Sequence, residues 1–228
     1  MMSSAGFPSS FLRCRRDGVS VLEMMIAIVI AVILAGSIMA VVQRSRQSAE
    51  RAGCLSQIRQ IGSALHLYAQ EHNGSFPGPL PGNQGAYYTR ASNTLARHLK
   101  SYLFLPEPVG SERLIAKELE CAAARRMILA HGGTAADAVY YNCPTTKING
   151  AGYRPLGYIA SGATSLPPAS LIALGSEGVL SKVKVLLDAD WLLSAALVGN
   201  RNVAREPVHG KVRNALFADG HVEGIPLE

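Results

Sequence analysis

Charge is scarce in this chain. Acidic and basic side chains make up 17% of the 228 residues, against roughly 25% in ordinary soluble domains. Apolar residues, at 48%, are as frequent as usual, which excludes a largely disordered polypeptide. Cysteine is also sparse: four residues and no C-x-x-C pair rule out a disulfide-stapled mini-domain and give no zinc-ribbon or thioredoxin-like signal. No G-x-S-x-G elbow, P-loop, H-E-x-x-H or G-x-G-x-x-G occurs, so the common nucleophile, phosphate, metalloprotease and dinucleotide signatures are missing. A Ser/His/Asp set can be drawn from any chain with six histidines and carries no weight. The chain is read as a non-enzyme that needs no cofactor. Proline is absent between Pro8 and Pro77, which leaves room for one very long helix.

The charge that exists is unevenly placed. Net charge is +6, yet residues 19–42 carry only Glu23, flanked by Arg13, Arg15 and Arg16 before and Arg44, Arg46 and Arg51 after. A basic excess gathered around an apolar run implies a membrane and not nucleic acid as partner. Met24 to Val42 form 19 consecutive uncharged residues. With 19–23 included, the segment would be about 36 Å long as a helix, enough for the roughly 30 Å hydrocarbon core. A secretory signal peptide with Arg13, Arg15 and Arg16 as its basic region and Ala40 near its cut is the plainer alternative, but its apolar stretch would be only about 7–15 residues. Loop arginines balance across the span, so the positive-inside rule gives no orientation.

Glu23 is the residue a simple anchor would not carry. An unpaired acid costs roughly 2.5–3.5 kcal/mol at a span centre and less near its edge, so such a group marks function. Cleavage after Gly18 would give Val19 a free α-amine, mostly cationic at neutral pH. Residues 19 and 23 share a helix face; the same two charges could also pair between neighbouring staggered helices, neutralising both in the bilayer.

Arg15-Arg16-Asp17-Gly18-Val19-Ser20-Val21-Leu22-Glu23, followed by the apolar run, resembles the leader and start of type IV prepilins and type II secretion pseudopilins. The resemblance implies a leader peptide at 1–18 cut after Gly18 by a prepilin peptidase that also methylates the new N-terminal residue, Val19, which stands where Phe or Met is usual. Glu23 is then the carboxylate that forms the assembly salt bridge with a sister subunit. It also implies a single-pass protein of the inner (cytoplasmic) membrane with its head outside the cytoplasm, in the periplasm or an extracellular filament.

Beyond the span (19–42), Leu55, Ile58, Ile61, Leu65 and Tyr68 recur at helical steps, which predicts a stem continuing over 43–72 and packing on a head. Asn73-Gly74 and then Pro77 supply its stop. Gly36, Gly53 and Gly62 are the expected bends. Gln57-Ile58-Arg59-Gln60 is similar to the Asn-Leu-Arg-Gln-Ile-Gly wording of pseudopilin-like stems. Residues 73–228 are expected to form a globular α+β head: an irregular loop over 73–90, helices over Asn93–Leu103 and Ser111–Ala130 (stopped by His131-Gly132-Gly133), strands over Ala138–Asn142, Tyr153–Ile159, Leu171–Leu174 and Val183–Leu187, and a short helix near Trp191–Val198. The whole is α+β: a transmembrane and stem helix packed on a C-terminal antiparallel sheet, as in pilins.

The sharpest local signal is Phe217-Ala218-Asp219-Gly220-His221-Val222-Glu223. Asp-Gly between strand-like runs predicts a hairpin with a type I′ turn. Nine residues separate His209 from Asp219-Gly220, and this His-x9-Asp-Gly pattern resembles the C-terminal motif of many prepilin-processed bacterial proteins. His209, Asp219 and His221 are zinc-type ligands, but Asp219 as turn former and His209 as a cap or carbonyl partner is the simpler expectation, and no metal is assigned. Asp188 and Asp190 fall short of a calcium set. With Cys14 in the leader, Cys121–Cys143 is one bridge an oxidising compartment would allow, leaving Cys54 at the stem; the spacing leaves the pairing open, and unpaired buried cysteine is common. The sequence thus reads as a filament subunit of pilus or pseudopilus type, with prepilin peptidase, sister subunits and the inner membrane as partners. A membrane-anchored, non-polymerising ligand binder is the alternative.

Overall fold

The computed structural model describes residue 18, residues 20–159 and residues 165–227. Of the expected leader and cleavage site only Gly18 falls among them; residues 1–17 and Val19 lie outside. With no proline to interrupt it, α1 (Val21–Glu71) runs for 51 residues. It passes Gly36, Gly53 and Gly62 as one uninterrupted element. Asn73 (φ 54°) and Gly74 (φ 77°) end it in the left-handed region, and the Gly74 amide donates to the Ala69 carbonyl at 2.7 Å. This closes the orphan carbonyls of the last turn as the Asn-Gly pair suggested.

Two compact units divide the chain between Ser45 and Arg46. The first contains the apolar half of α1, where large side chains are exposed on every side: Ile26, Val29, Ile30, Ile33 and Leu34 are all more than half exposed. A helix apolar around its whole circumference is one that lipid or other helices must cover, and by length and composition it is able to cross a membrane. The second unit contains the rest of α1 and the head. There Cys54, Ile58, Ile61 and Leu65, at steps of four, three and four, are each about 1% exposed or less. Each such side chain contributes about 2 kcal/mol on burial, so this part of α1 is a core element of the head.

After α1 the chain forms β1 (Asn83–Gly85), β2 (Tyr87–Tyr88), α2 (Leu95–His98), β3 (Leu114–Ile115), α3 (Ala122–Ala130), β4 (Val139–Asn142), β5 (Thr146–Ile148), β6 (Ala151–Tyr153), α4 (Leu171–Ser176), β7 (Lys184–Asp188), β8 (Val212–Phe217) and β9 (Val222–Pro226). The main sheet is five-stranded, ordered β1-β4-β7-β8-β9, and every neighbouring pair in it is antiparallel. The architecture is therefore α+β with a long N-terminal helix and a C-terminal antiparallel sheet, as expected. The residues of β7 and β8 nearest its centre, Val185, Leu186, Ala215 and Leu216, are buried. Leu216 meets α1, while Leu187, Ala215 and Phe217 pack with Leu193 and Ile225 in a separate cluster.

Several expected elements are different. The loop over 73–90 contains β1, an edge strand of the main sheet, because β4 offers it a ladder. The helix expected over Asn93–Leu103 is reduced to the single turn of α2, followed by hydrogen-bonded turns and Phe104 at φ 53°. Leu95 and Leu99 are fully buried there. The helix expected from Ser111 starts only at Ala122: Leu114 and Ile115 pair with Tyr88 and Tyr87, a 3-10 turn follows at Lys117–Leu119, and Cys121 is tied to α1. Leu171–Leu174 is helix and not strand, since Ser170 caps Ile172 and only Leu174 of the apolar run is buried. Of the strand expected over Tyr153–Ile159 only its first residue belongs to a strand, β6. Near Trp191–Val198 the helix is a 3-10 turn, Ala195–Leu197.

Candidate functional site

The expected assembly residue, Glu23, lies in the first turn of α1, where the helix macrodipole favours an anion. The Met24 amide donates to the Ser20 carbonyl at 3.1 Å, so the helix is closed ahead of Glu23. Glu23 is exposed and stands in a shallow groove with Leu22, Ile26, Ala27 and Ile30. Among the described residues no basic side chain pairs with it. Gly18 is exposed.

The C-terminal motif falls at two places, both on α1. Asp219 and Gly220 form the loop between β8 and β9. The Gly220 amide donates to the Phe217 carbonyl and the Phe217 amide to the His221 carbonyl, both at 3.0 Å. Only Gly220, at φ 90°, is left-handed. The expected type I′ turn is thus replaced by a three-residue loop closed by a glycine bulge. One Asp219 carboxylate oxygen accepts from the His221 amide (3.1 Å) and contacts the His221 ring (2.5 Å), and that ring stacks on Phe217. A Cβ on Gly220 would lie 3.1 Å from the His66 ring of α1.

His209 is at the other end of β8, in the turn closed by the Gly210 amide on the Pro207 carbonyl. Its side chain is 2% exposed, with Nε2 3.6 Å from Asp188 Oδ2 and 3.7 Å from Cys121 Sγ. His209, Asp219 and His221 therefore do not converge as a zinc set. Between the two ends, a Cβ on Gly62 would come within 2.8 Å of Leu216 Cδ1. The spacing has a geometric reason. Six residues of β8 rise about 20 Å, and the twelve residues of α1 from Cys54 to His66 rise about 18 Å. His209 and Gly220 bracket β8, whose Leu216 meets α1 at Gly62.

Cys54 and Cys121 form a disulfide with Cα atoms 5.0 Å apart, and Cys143 is free. The Cys121–Cys143 pairing is corrected: Cys54 stands on the buried stripe of α1 and reaches the residue that opens α3. Beside it, Asp188 ends the central strand β7. Its Oδ2 accepts from the Asn214 amide at 2.8 Å, while Oδ1 and both side-chain amide atoms of Asn214 have no protein partner. Burial raises the Asp188 carboxyl to about 7 and lowers the His209 imidazole to about 4, so neither holds its charge well and the contact is not a strong ion pair. Asp190 differs: Arg213 grips it with Nε–Oδ2 at 2.6 Å and Nη2–Oδ1 at 2.7 Å. With both oxygens on the guanidinium, it has no free edge for calcium.

Sequence reading missed Cys54, Asp188, Asn214 and Gly62 as parts of one seam. The four-residue step from Cys54 to Ile58 was the one signal available for the disulfide; nothing local marked the others. A second feature is an open cleft of about 470 Å³ near the end of α1, lined by Tyr68, His72, Asn93, Arg97, His98 and Tyr102. In it the Tyr68 and His72 rings stack at 3.8 Å and the Tyr102 hydroxyl donates to Glu71. No family model, characterised protein or solved structure matches this chain.

Proposed function

We propose that this chain is a structural subunit of the pilin or pseudopilin class, inserted in the inner membrane by α1, relieved of residues 1–18 by a prepilin peptidase, methylated at Val19 and stacked into a filament. The observation that carries the proposal is Glu23: a carboxylate in the first turn of a helix whose following residues are apolar on every side. Such a helix is stable when lipid or sister stems cover it, and a carboxylate among them needs a cation. The Val19 amine of an adjacent, staggered subunit supplies one of the right sign and position. The outer part of α1 is a core element of the head. The head faces away from the cytoplasm and determines surface and partners. Mass spectrometry of the protein purified from its native membrane is expected to give a chain starting at Val19 with one added methyl. A mature chain that keeps residues 1–18 overturns the proposal.

A second reading, a membrane-anchored binder that does not polymerise, is favoured by the cleft at Tyr68, His72 and Tyr102. Aromatic faces beside amide, hydroxyl and guanidinium groups suit a sugar ring. Such a binder would tolerate loss of the Glu23 charge.

A further inference from the structure

We infer that the Cys54–Cys121 disulfide is one of two states of a metal-binding cluster, and that the dithiol state binds a zinc ion through Cys54, Cys121, His209 and Asp188. The sulfurs of both cysteines and a ring nitrogen of His209 lie within 4.8 Å of one another. His209 Nε2 lies 3.7 Å from Cys121 Sγ, within reach of a weak N···S hydrogen bond, and 3.6 Å from Asp188 Oδ2, too long for a good N–H···O hydrogen bond. Both distances match the edges of a tetrahedron about zinc, roughly 3.3–3.8 Å for bonds of about 2.0–2.3 Å. Two thiolates and an imidazole are three of the four ligands of a structural zinc site, and Asp188, which meets the cluster through His209, is assigned as the fourth.

An independent observation points to a missing occupant. Asp188 Oδ1 is buried with no partner at hydrogen-bond distance, as are the side-chain amide of Asn214 on the neighbouring strand and the hydroxyl of Tyr141, which pairs with Asp188 in the β4–β7 register. Buried polar atoms of this kind are normally satisfied, and one left open calls for an ion or a water. A dication bound by Asp188 would meet the need of its carboxylate, though not that of the Asn214 N–H groups, which require an acceptor. The ligands come from α1, the start of α3, the end of β7 and the turn before β8, so the ion would join the same elements the disulfide joins. The step balances. A dithiol donor gives two electrons and two protons to the Cys54–Cys121 bond and becomes a disulfide itself; zinc then displaces the two thiol protons to solvent and is held by the two thiolates.

The test uses the full chain in detergent, carrying Cys14→Ala and Cys143→Ala to remove the two thiols outside the cluster, reduced with a water-soluble phosphine and titrated with Co²⁺ alone. The expected result is one equivalent bound, with the visible bands of tetrahedral cobalt and a thiolate charge-transfer band, all displaced by Zn²⁺. His209→Ala and Asp188→Asn are each expected to weaken Co²⁺ binding by at least the roughly tenfold that loss of a mere outer-shell partner brings. Far-UV circular dichroism runs alongside: if reduction alone unfolds the head, Zn²⁺ should restore it. Absence of cobalt bands in the reduced chain overturns the inference, as do bands of equal strength and affinity in His209→Ala.

Discussion

Arg213 and Asp190 show how single residues hold the head. Asp190 is 1% exposed in its side chain and Arg213 16%, and the guanidinium meets both carboxylate oxygens. Removing one partner of a buried pair leaves an uncompensated charge, so Arg213→Ala should destabilise the protein by about 3–5 kcal/mol, read as a lower urea midpoint at unchanged slope. His98 gives a pH dependence. Burial, then the charges of Arg97 and His72, hold its imidazole below the ordinary value of 6.5, and Nε2 is 2.8 Å from Asn93 Oδ1, where a neutral ring donates. The unfolded chain therefore binds more protons than the folded one between the lowered value and 6.5. Stability is complete above that window and falls as pH drops through it. His98→Gln should flatten this part of a pH–stability curve; an unchanged slope would contradict the assignment.

At the scale of elements, the seam between α1 and β8 unites what the sequence presented separately. The disulfide closes a loop of 67 residues, worth about 4 kcal/mol in unfolded-chain entropy, so Cys54→Ser should lower unfolding free energy by up to about that amount. Gly62→Leu would drive a side chain into Leu216, already buried, and should cost about 1–3 kcal/mol; Gly62→Ala should be nearly neutral, because the crowding is offset by about 1 kcal/mol of helix propensity. Both are readable by denaturant unfolding. Elements that depend on local chemistry were legible in the sequence: α1 and its Asn73-Gly74 stop, β4, β7 and the β8–β9 hairpin. Those decided by distant partners were not. Leu114 and Ile115 fit a helix until Tyr87 and Tyr88 offer a ladder, and Leu171–Leu174 fits a strand until no neighbour pairs with it. The turn type at Asp219-Gly220 was misread because Asp219 uses its carboxylate on His221 and needs no positive φ.

For the whole molecule, the candidate site was half legible. Glu23 stood out because an acid beside an apolar run is rare, whereas Asp188 and Asn214 are ordinary letters whose burial appears only in three dimensions. The His-x9-Asp-Gly spacing was visible as a pattern, and its physical sense emerges from the matching rise of β8 and α1. The proposed function rests on attraction between Glu23 of one subunit and the amine of the next. Chemical cross-linking in native membranes, comparing the wild-type chain with Glu23→Ala, probes that attraction most directly. Wild type should give a ladder of multimers, and Glu23→Ala should remain membrane-inserted while running almost entirely as monomer. Identical ladders for both proteins, or a solitary wild-type species, would contradict the account.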